Sequence, residues 1–223
     1  MREFSISEVW FLVQATRWTV LLAVVAFIGG GVVGLAIAIL RVSTRRLPRA
    51  TAIVYIKVLQ GTPLLMQLYL VYFGSNLFGI RADAWLSAAL GLTLYASAFL
   101  GEIWRGCIQA IPSAQWEGAR ALALSRWQQL LLVILPQAFR ISIPPTVGFL
   151  VQVLKGTSLA SIIGFTELTR AAQMVNNATF RPFIVYALVT VLYFALCWPL
   201  SLLSQHLERR LDRDRLPTVK VQA

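Results

Sequence analysis

Residues 18–40 read WTVLLAVVAFIGGGVVGLAIAIL, an unbroken run without a charged side chain. An α-helix of this length rises about 34 Å, slightly more than the roughly 30 Å hydrocarbon layer of a bilayer. The run therefore predicts a membrane-spanning helix. Within it, Gly30 and Gly34 have the GxxxG spacing that lets a second helix approach closely. Generic helix packing is the plainer interpretation of that spacing, and it identifies no function.

Four more apolar segments of similar length follow, at about 52–73, 85–104, 141–164 and 183–204. The chain has 223 residues, of which 58% are hydrophobic and 13% charged. Long apolar runs of this kind are typical of membrane proteins rather than of soluble domains, whose apolar residues form periodic stripes. We predict an all-α membrane protein with about five transmembrane helices. It comprises one transmembrane domain, residues 1–211, and a short tail, residues 212–223.

The distribution of positive charge predicts the orientation. Five basic residues surround the loop after the first segment: Arg41, Arg45, Arg46, Arg49 and Lys57. The next loop has only Arg81, offset by Asp83, whereas residues 105–140 and the C-terminal tail are again rich in arginine. Because basic loops face the cytoplasm, we expect a periplasmic N-terminus and a cytoplasmic C-terminus. The same rule, with attraction to anionic lipid, accounts for the net charge of +11 without a nucleic-acid partner.

The residues that could carry chemistry are few. His206 is the only histidine, and Cys107 and Cys197 are far apart without a CxxC spacing. No Gly-rich phosphate loop ending in Gly-Lys-Ser or Gly-Lys-Thr occurs. We therefore expect no catalytic site, no metal and no cofactor bound by this chain. An intramembrane enzyme would need a convergent set of such residues, and an ion-coupled carrier or channel would predict several intramembrane acids or an inverted repeat.

The polar stretch 112–138 reads PSAQWEGARALALSRWQQLLLVILPQA. Ser113 could cap a short helix of residues 116–123, with a break near Leu124 and a second helix that runs to Pro136. We predict two short helices in the cytoplasm. Their narrow apolar face is suited to docking into a groove of a partner, and its residues are Ala119, Leu122 and Ala123.

This stretch resembles the coupling loop of permeases from ATP-binding cassette importers, whose pattern is Glu-Ala-Ala-x-x-x-Gly followed by Ile-x-Leu-Pro. The matching residues are Glu117-Gly118-Ala119, Leu122, Ala123, Ser125 and Ile134-Leu135-Pro136-Gln137-Ala138. Gly118 replaces the usual middle Ala, and Ala123 stands where the family has its Gly. If that Gly takes a left-handed conformation, Ala costs about 1 kcal/mol there or shifts the turn by one residue.

Further motifs resemble the polar amino acid branch, the histidine/glutamine-type permeases, and the resemblance covers about residues 10–210. These motifs are Gly61-Thr62-Pro63-Leu64-Leu65 with Gln67, Glu102-Ile103-Trp104-Arg105-Gly106, Gln115-Trp116-Glu117 and Lys155-Gly156-Thr157-Ser158-Leu159. The resemblance implies a type I importer permease fold with five spans and cytoplasmic coupling helices, in the bacterial inner membrane. It also implies that the loop of residues 105–140 contacts the ATPase through Gln115, Glu117, Gly118, Ala119, Leu122, Ala123 and Ser125.

The implied function is import of a polar amino acid, or a close derivative such as an opine, delivered by a periplasmic binding protein. The implied partners are two ATPase subunits, which hydrolyse the ATP, the binding protein, and a second permease copy that is identical or closely related. Membrane lipid surrounds the complex. Whether the permease pairs with itself, and which amino acid it carries, stay open.

Lys155 stands in an apolar stretch, residues 147–165, where a buried ammonium costs roughly 2.5–3.5 kcal/mol. Such a charge usually faces a cavity, although it could also snorkel outward or pair structurally. Gly156, Thr157 and Ser158 add a flexible backbone and two hydroxyls, a grouping suited to the carboxylate of a zwitterion. The resemblance implies a substrate path along this helix.

A second candidate region lies in the second segment, where Gly61, Thr62 and Pro63 predict a break near its inner end. The break could line the substrate path or be a plain kink, and Gln67 and Gln152 could line a cavity or join helices. Many relatives carry Asp or Asn in place of Gly156, so this chain lacks an acidic partner for a cationic side chain there. Glu102 could supply one, or could only support the coupling loop.

Overall fold

The computed structural model describes residues 3–43, 45–77, 79 and 83–214, and every regular element in those ranges is helical. A π-helical segment, Gln129–Ile134, joins α6 to α7, and a 3-10 segment, Thr157–Ile163, follows α7. Arg81 and residues 215–223 lie outside the described ranges. The helices are α1 (Ile6–Val42), α2 (Arg46–Gly61), α3 (Leu64–Leu77), α4 (Ala84–Gln109), α5 (Ser113–Ala121), α6 (Arg126–Gln128), α7 (Leu135–Gly156), α8 (Leu168–Thr179) and α9 (Pro182–Asp214).

Four continuous helical stretches in the described ranges are long and apolar enough to cross a membrane: Ile6–Val42, Ala84–Gln109, Arg126–Ile163 and Pro182–Leu211. They contain the predicted first, third and fifth segments and all but the last residue of the fourth, and each extends beyond its segment on at least one side. The first begins at Ile6 because Ser5 and Glu8 form a capping box there. The last continues through Asp214, past the predicted start of the tail.

The predicted second span is not one straight helix, because α2 and α3 meet at an angle of 103°. The helices have 16 and 14 residues, so the break lies near the middle of the pair and not near its inner end as predicted. Pro63 has no N–H and cannot continue α2. The total of five spans therefore holds only if this bent pair counts as one.

Three carbonyls at the break accept hydrogen bonds from side chains within the protein. The Gln67 side-chain amide donates to the Leu59 carbonyl at 2.7 Å and to the Thr62 carbonyl at 3.1 Å. The Thr62 hydroxyl donates to the Val58 carbonyl at 2.9 Å. A membrane-spanning segment needs such internal hydrogen bonds, because the hydrocarbon of the bilayer offers no donor or acceptor. Gln67 is thus a buried connector across the break, and the open choice between cavity and hydrogen bonding is resolved in favour of bonding.

The core is organised by the crossing of α1 and α4, where glycines bring the two backbones together. A methyl group added at Gly30 would lie 2.5 Å from the Ala96 Cβ, and one at Gly34 would lie 3.0 Å from the Ser97 carbonyl oxygen. The reciprocal position is Gly101, where a methyl would lie 3.1 Å from the Gly34 oxygen. The GxxxG spacing is therefore confirmed as a helix contact.

The remaining long helices pack around this crossing. α7 lies against both α4 and α9. The Trp104 indole N–H donates to the Thr146 hydroxyl at 2.9 Å, and the Ser204 hydroxyl donates to the Pro144 carbonyl at 2.8 Å. The rings of Phe99 and Phe149 stack with centroids 5.5 Å apart.

An amphipathic helix, α8, lies between the predicted fourth and fifth segments, where no element was predicted. Its buried face comprises Leu168, Ala171, Ala172 and Val175, and these residues pack against α1 and α9. Twelve residues are too few to span a membrane, so a search for long apolar runs passes over them.

We expect Gly30→Ala to destabilise the protein by about 1–3 kcal/mol through overpacking against Ala96, despite the higher helix propensity of alanine. Gly31→Ala is the matched control, because its new methyl would meet only the Trp104 ring at an ordinary 3.7 Å. Thermal unfolding of the purified variants in detergent measures the difference. Equal stability of the two variants would contradict the close crossing of α1 and α4.

Candidate coupling surface and membrane-depth site

Residues 112–138, which resemble a coupling loop, are called the coupling segment. It follows α4, and its first helix is α5, Ser113–Ala121. Pro112, not Ser113, occupies the N-cap position, so the capping role predicted for Ser113 is wrong and the helix begins three residues earlier than expected. Pro112 has a fixed φ, and a proline at the helix entrance sacrifices no intrahelical hydrogen bond. Ser113 therefore becomes the first helical residue.

α5 ends in a Schellman motif, the common helix termination in which one residue takes a left-handed conformation. The Leu124 N–H bonds the Ala119 carbonyl at 3.3 Å, and the Ala123 N–H bonds the Arg120 carbonyl at 2.9 Å. Ala123 has φ +54°, the left-handed value that glycine adopts most easily. Ala123 thus takes the left-handed conformation without a shift of the turn, and its energetic cost of about 1 kcal/mol stays a prediction.

The next helix starts at Ser125, whose hydroxyl accepts from the Gln128 N–H in a capping box. The predicted end at Pro136 is wrong, because the helix continues through it into α7. In a regular α-helix the Pro136 ring would collide with the Leu132 carbonyl. We attribute the π-helical segment immediately before it to this collision, since a wider turn leaves room for the ring.

α5 is fastened to the bundle by its inner face. Trp116 packs against a buried cluster of Ile108, Ile111, Ile134 and Ala138, and α5 contacts the π segment. The Gln137 side-chain amide also donates to the Gln115 side-chain oxygen at 3.3 Å.

The outer face of α5 is available to a partner. Gln115, Glu117 and Gly118 are exposed, and Leu122 is 75% exposed. Ala119 is only 3% exposed, so its predicted place on the docking face is wrong: it packs inside this protein. A methyl group at Gly118 would meet no atom within 4 Å, so the space for the usual Ala is present.

Glu102, considered above as a partner for a cationic substrate, is occupied. Its carboxylate pairs with Arg105 on its own helix and with Arg41 of α1, whose Nη2 lies 3.6 Å from Oε2. This cluster lies next to the Gly34–Gly101 contact, toward the C-terminal ends of α1 and α4, and joins the same two helices. The structural interpretation of Glu102 is therefore the one that the geometry supports.

The fold brings together the two membrane-depth motifs that are distant in sequence. A methyl group at Gly156 would lie 3.1 Å from the Leu64 side chain, directly beyond the break at Gly61, Thr62 and Pro63. All three break residues are exposed. Lys155 is exposed as well, and so is Gln152, one turn earlier on the same face.

The two hydroxyls beside Lys155 are bonded to their own helix. Thr157, which is fully buried, donates to the Leu154 carbonyl at 2.7 Å, and Ser158 donates to the Lys155 carbonyl at 2.7 Å. A hydroxyl that has given its only proton to the backbone can accept a hydrogen bond but cannot donate one to a carboxylate. In this arrangement the donors on the exposed face are the Lys155 ammonium and the Gln152 amide.

Sequence reasoning missed a buried polar cluster at the start of α8. Glu167 has no exposed surface, and its carboxylate accepts from the Arg170 N–H at 2.9 Å and from the Tyr193 hydroxyl at 2.8 Å. The Thr19 hydroxyl accepts from the Leu168 N–H at 3.0 Å. The cluster joins α8 to α1 and α9. The available signal was a Glu before an apolar 3.6-residue pattern, typical of a helix start.

Burial raises the pKa of the Glu167 carboxyl above its ordinary value of 4.5, outweighing the hydrogen bonds that oppose the shift. A raised pKa means that folding stability is greatest below the ordinary value and is lost as pH rises through the raised one. We expect the melting temperature to be higher at about pH 5 than at about pH 8, and Glu167→Gln to reduce this difference. Glu117→Gln, on exposed α5, is the control that keeps it. An unchanged difference in Glu167→Gln would refute the assignment.

Ala123→Gly should stabilise the protein by about 1 kcal/mol, because glycine takes a positive φ without steric cost. Ala123 is exposed, so little packing is lost. Ala121→Gly, in the last turn of α5 where φ is helical, is the matched control and should destabilise by a similar amount. Chemical or thermal unfolding measures both, and a loss of stability in Ala123→Gly would contradict the left-handed turn.

Characterised families and proteins match most of this chain. The family model described as binding-protein-dependent transport system inner membrane component matches residues 30–213. The chain is 36% identical over 214 residues to the L-cystine transport system permease protein TcyB of Bacillus subtilis (strain 168), with 92% of each chain covered. It is 32% identical over 215 residues to the glutamine transport system permease protein GlnP of Escherichia coli (strain K12), with 94% of this chain and 98% of that one covered.

Solved structures give the same result for the fold. A chain of the crystal structure of an amino acid ABC transporter with histidines superposes with a TM-score of 0.88 at 33% identity, covering 94% of this chain and 100% of that one. A chain of the inward-facing methionine transporter MetNI has a TM-score of 0.78 at 19% identity, over 93% of this chain and 99% of that one, and so shares the fold. This chain therefore belongs to the binding-protein-dependent transport system inner membrane components, as an amino-acid permease with the type I importer fold.

Proposed function

We propose that this permease subunit imports a polar amino acid, or a close derivative, without a catalytic site or cofactor of its own. It works as one of two copies, identical or closely related, with two ATPase subunits in the cytoplasm and a periplasmic binding protein on the other side. The observation that carries this proposal is the arrangement of α5. Its outer face is exposed, while its inner face is packed on the ends of α4 and the π segment.

That arrangement supports a mechanical coupling. A force applied to the outer face would pass through the π segment to α7, and through the cluster under Trp116 to the end of α4. The residues of that outer face are Gln115, Glu117, Gly118 and Leu122. Ala123 and Ser125 shape the turn, and Ala119 anchors the helix from within. The Glu102 cluster and the glycine contact carry the movement on to α1. ATP-driven closure of the ATPases would thus rock the spans between inward-open and outward-open states.

The orientation follows from the positive-inside rule, with α5 and the C-terminus in the cytoplasm of a bacterium and the N-terminus in the periplasm. Two exposed polar side chains at membrane depth, Lys155 and Gln152, support a substrate path along this side of α7. The break at Gly61, Thr62 and Pro63 borders it, and Gly156 allows α3 to approach. Gln67 and Thr157 are buried and stabilise the helices that border this path. The Ser158 hydroxyl could accept a hydrogen bond from the substrate.

The test is reconstitution of this chain in proteoliposomes with its ATPase and its periplasmic binding protein. ATP hydrolysis and uptake of labelled amino acids are measured across a panel. We expect uptake only when all three components and ATP are present. Uptake without the ATPase would instead indicate a self-contained carrier.

Within that assay, Glu117→Arg should lower uptake by at least about tenfold, because it reverses the charge on the outer face of α5. Ligand binding by the periplasmic protein should be unchanged. Glu208→Arg is the matched control: it makes the same reversal at an exposed position near the C-terminal end of α9 and should retain uptake. Normal uptake by Glu117→Arg would remove Glu117 from the coupling surface.

A further inference from the structure

The acidic residues of this chain can be placed one by one, because the sequence has only nine of them. Seven lie at or beyond the ends of the long helices or in the coupling segment: Glu3, Glu8, Asp83, Glu117, Glu208, Asp212 and Asp214. Glu102 lies in the third segment, two residues before its predicted end, and Glu167 lies four residues after Ile163, where the fourth span ends. These two are the carboxylates that this chain could offer to a substrate within the membrane.

Both carboxylates are already engaged. Glu102 pairs with Arg41 and Arg105, so that cluster has an excess of positive charge. Glu167 has no exposed surface and accepts from the Tyr193 hydroxyl and the Arg170 N–H. Neither is open to a passing ammonium or guanidinium group.

Lys155, by contrast, is exposed and lies far from either end of its span. It is eight residues before Ile163, about 15 Å along the end of α7 and the 3-10 segment. A crossing of about 20 residues that ends at Ile163 would begin near residue 143, about 18 Å away on the other side. The Cα–Cβ bond also tilts toward the helix N-terminus, away from the nearer surface. Outward snorkelling, which suits residues near helix ends, is therefore disfavoured.

From this charge inventory we infer that the membrane path of this permease is selective by charge. It accepts amino acids with neutral or acidic side chains and discriminates against those with cationic side chains. The inference rests on the proposed function and deepens it. Lys155 holds the substrate carboxylate, Gln152 supplies a neutral donor beside it, and a second positive charge on the substrate meets repulsion without a compensating carboxylate.

The described neighbours of Lys155 are the Thr157 and Ser158 hydroxyls, the Gln152 amide and the apolar Leu64 side chain near Gly156. No acidic residue forms a described hydrogen bond or ion pair with Lys155.

The binding protein selects ligands before they reach the permease, so the test leaves it out. The permease with its ATPase, in lipid nanodiscs, is equilibrated with radiolabelled glutamate, glutamine and lysine. We expect glutamate and glutamine to bind at least about tenfold more tightly than lysine. Lys155→Gln should reduce this ratio to about threefold or less, and Lys155→Glu should invert it. Lys220→Gln makes the same change in the C-terminal tail and should leave the ratio unchanged.

Equal binding of lysine and glutamate by the wild-type complex would overturn the inference, as would an unchanged ratio in Lys155→Gln. Absence of binding for all three ligands would also overturn it, because Lys155 would then hold no carboxylate. Lys155→Gln removes a charge without adding one, so the test stands even if Lys155→Glu fails to assemble. Three-component uptake that carries lysine as fast as glutamine would refute the selectivity alone, whereas absence of ATP-dependent uptake would refute the importer.

Discussion

The contact between α1 and α4 is the constraint on which the rest of the structure depends. Within lipid no hydrophobic force drives helices together, so they associate through close packing of small residues. Gly30, Gly34 and Gly101 bring the two backbones within van der Waals contact. α4 then presents α5 at its inner end and one side to α7, so the positions of both candidate sites follow from this crossing.

A second constraint is that polar groups in lipid need partners inside the protein. At the α2–α3 break, Gln67 and Thr62 bond the carbonyls that the bend releases. Glu102 is held by two arginines and Glu167 by neutral donors. Lys155 and Gln152 differ from these structural polar groups, because both side chains are exposed and point away from the described core. This contrast, more than the charge of Lys155 itself, supports the proposed substrate path.

Local features were predictable where they depend on neighbours in sequence. The strain at Ala123 followed from a single residue replacement in a turn, and the glycine spacing indicated a helix contact. Predictions failed where two local rules competed. Pro112 occupies the N-cap position that was predicted for Ser113. Pro136 does not end its helix, because the π-helical segment before it leaves room for the proline ring. Ala119 was placed on the wrong face because a nine-residue helix with mixed composition does not reveal which side meets the bundle.

The sequence by itself determined the number and approximate place of the apolar segments, the basic loops and the family motifs, because these depend on composition and short spacings. Only the tertiary structure decided the 103° bend, the burial of Glu167, and which polar groups at membrane depth are engaged. The physical reason is that lipid-facing and protein-facing residues are equally apolar in a membrane helix, so the pattern of hydrophobicity does not show direction. Which side of each helix faces the protein is decided only when the helices pack together. Packing also shows that Lys155 stays exposed while Glu102 and Glu167 are bonded within the protein.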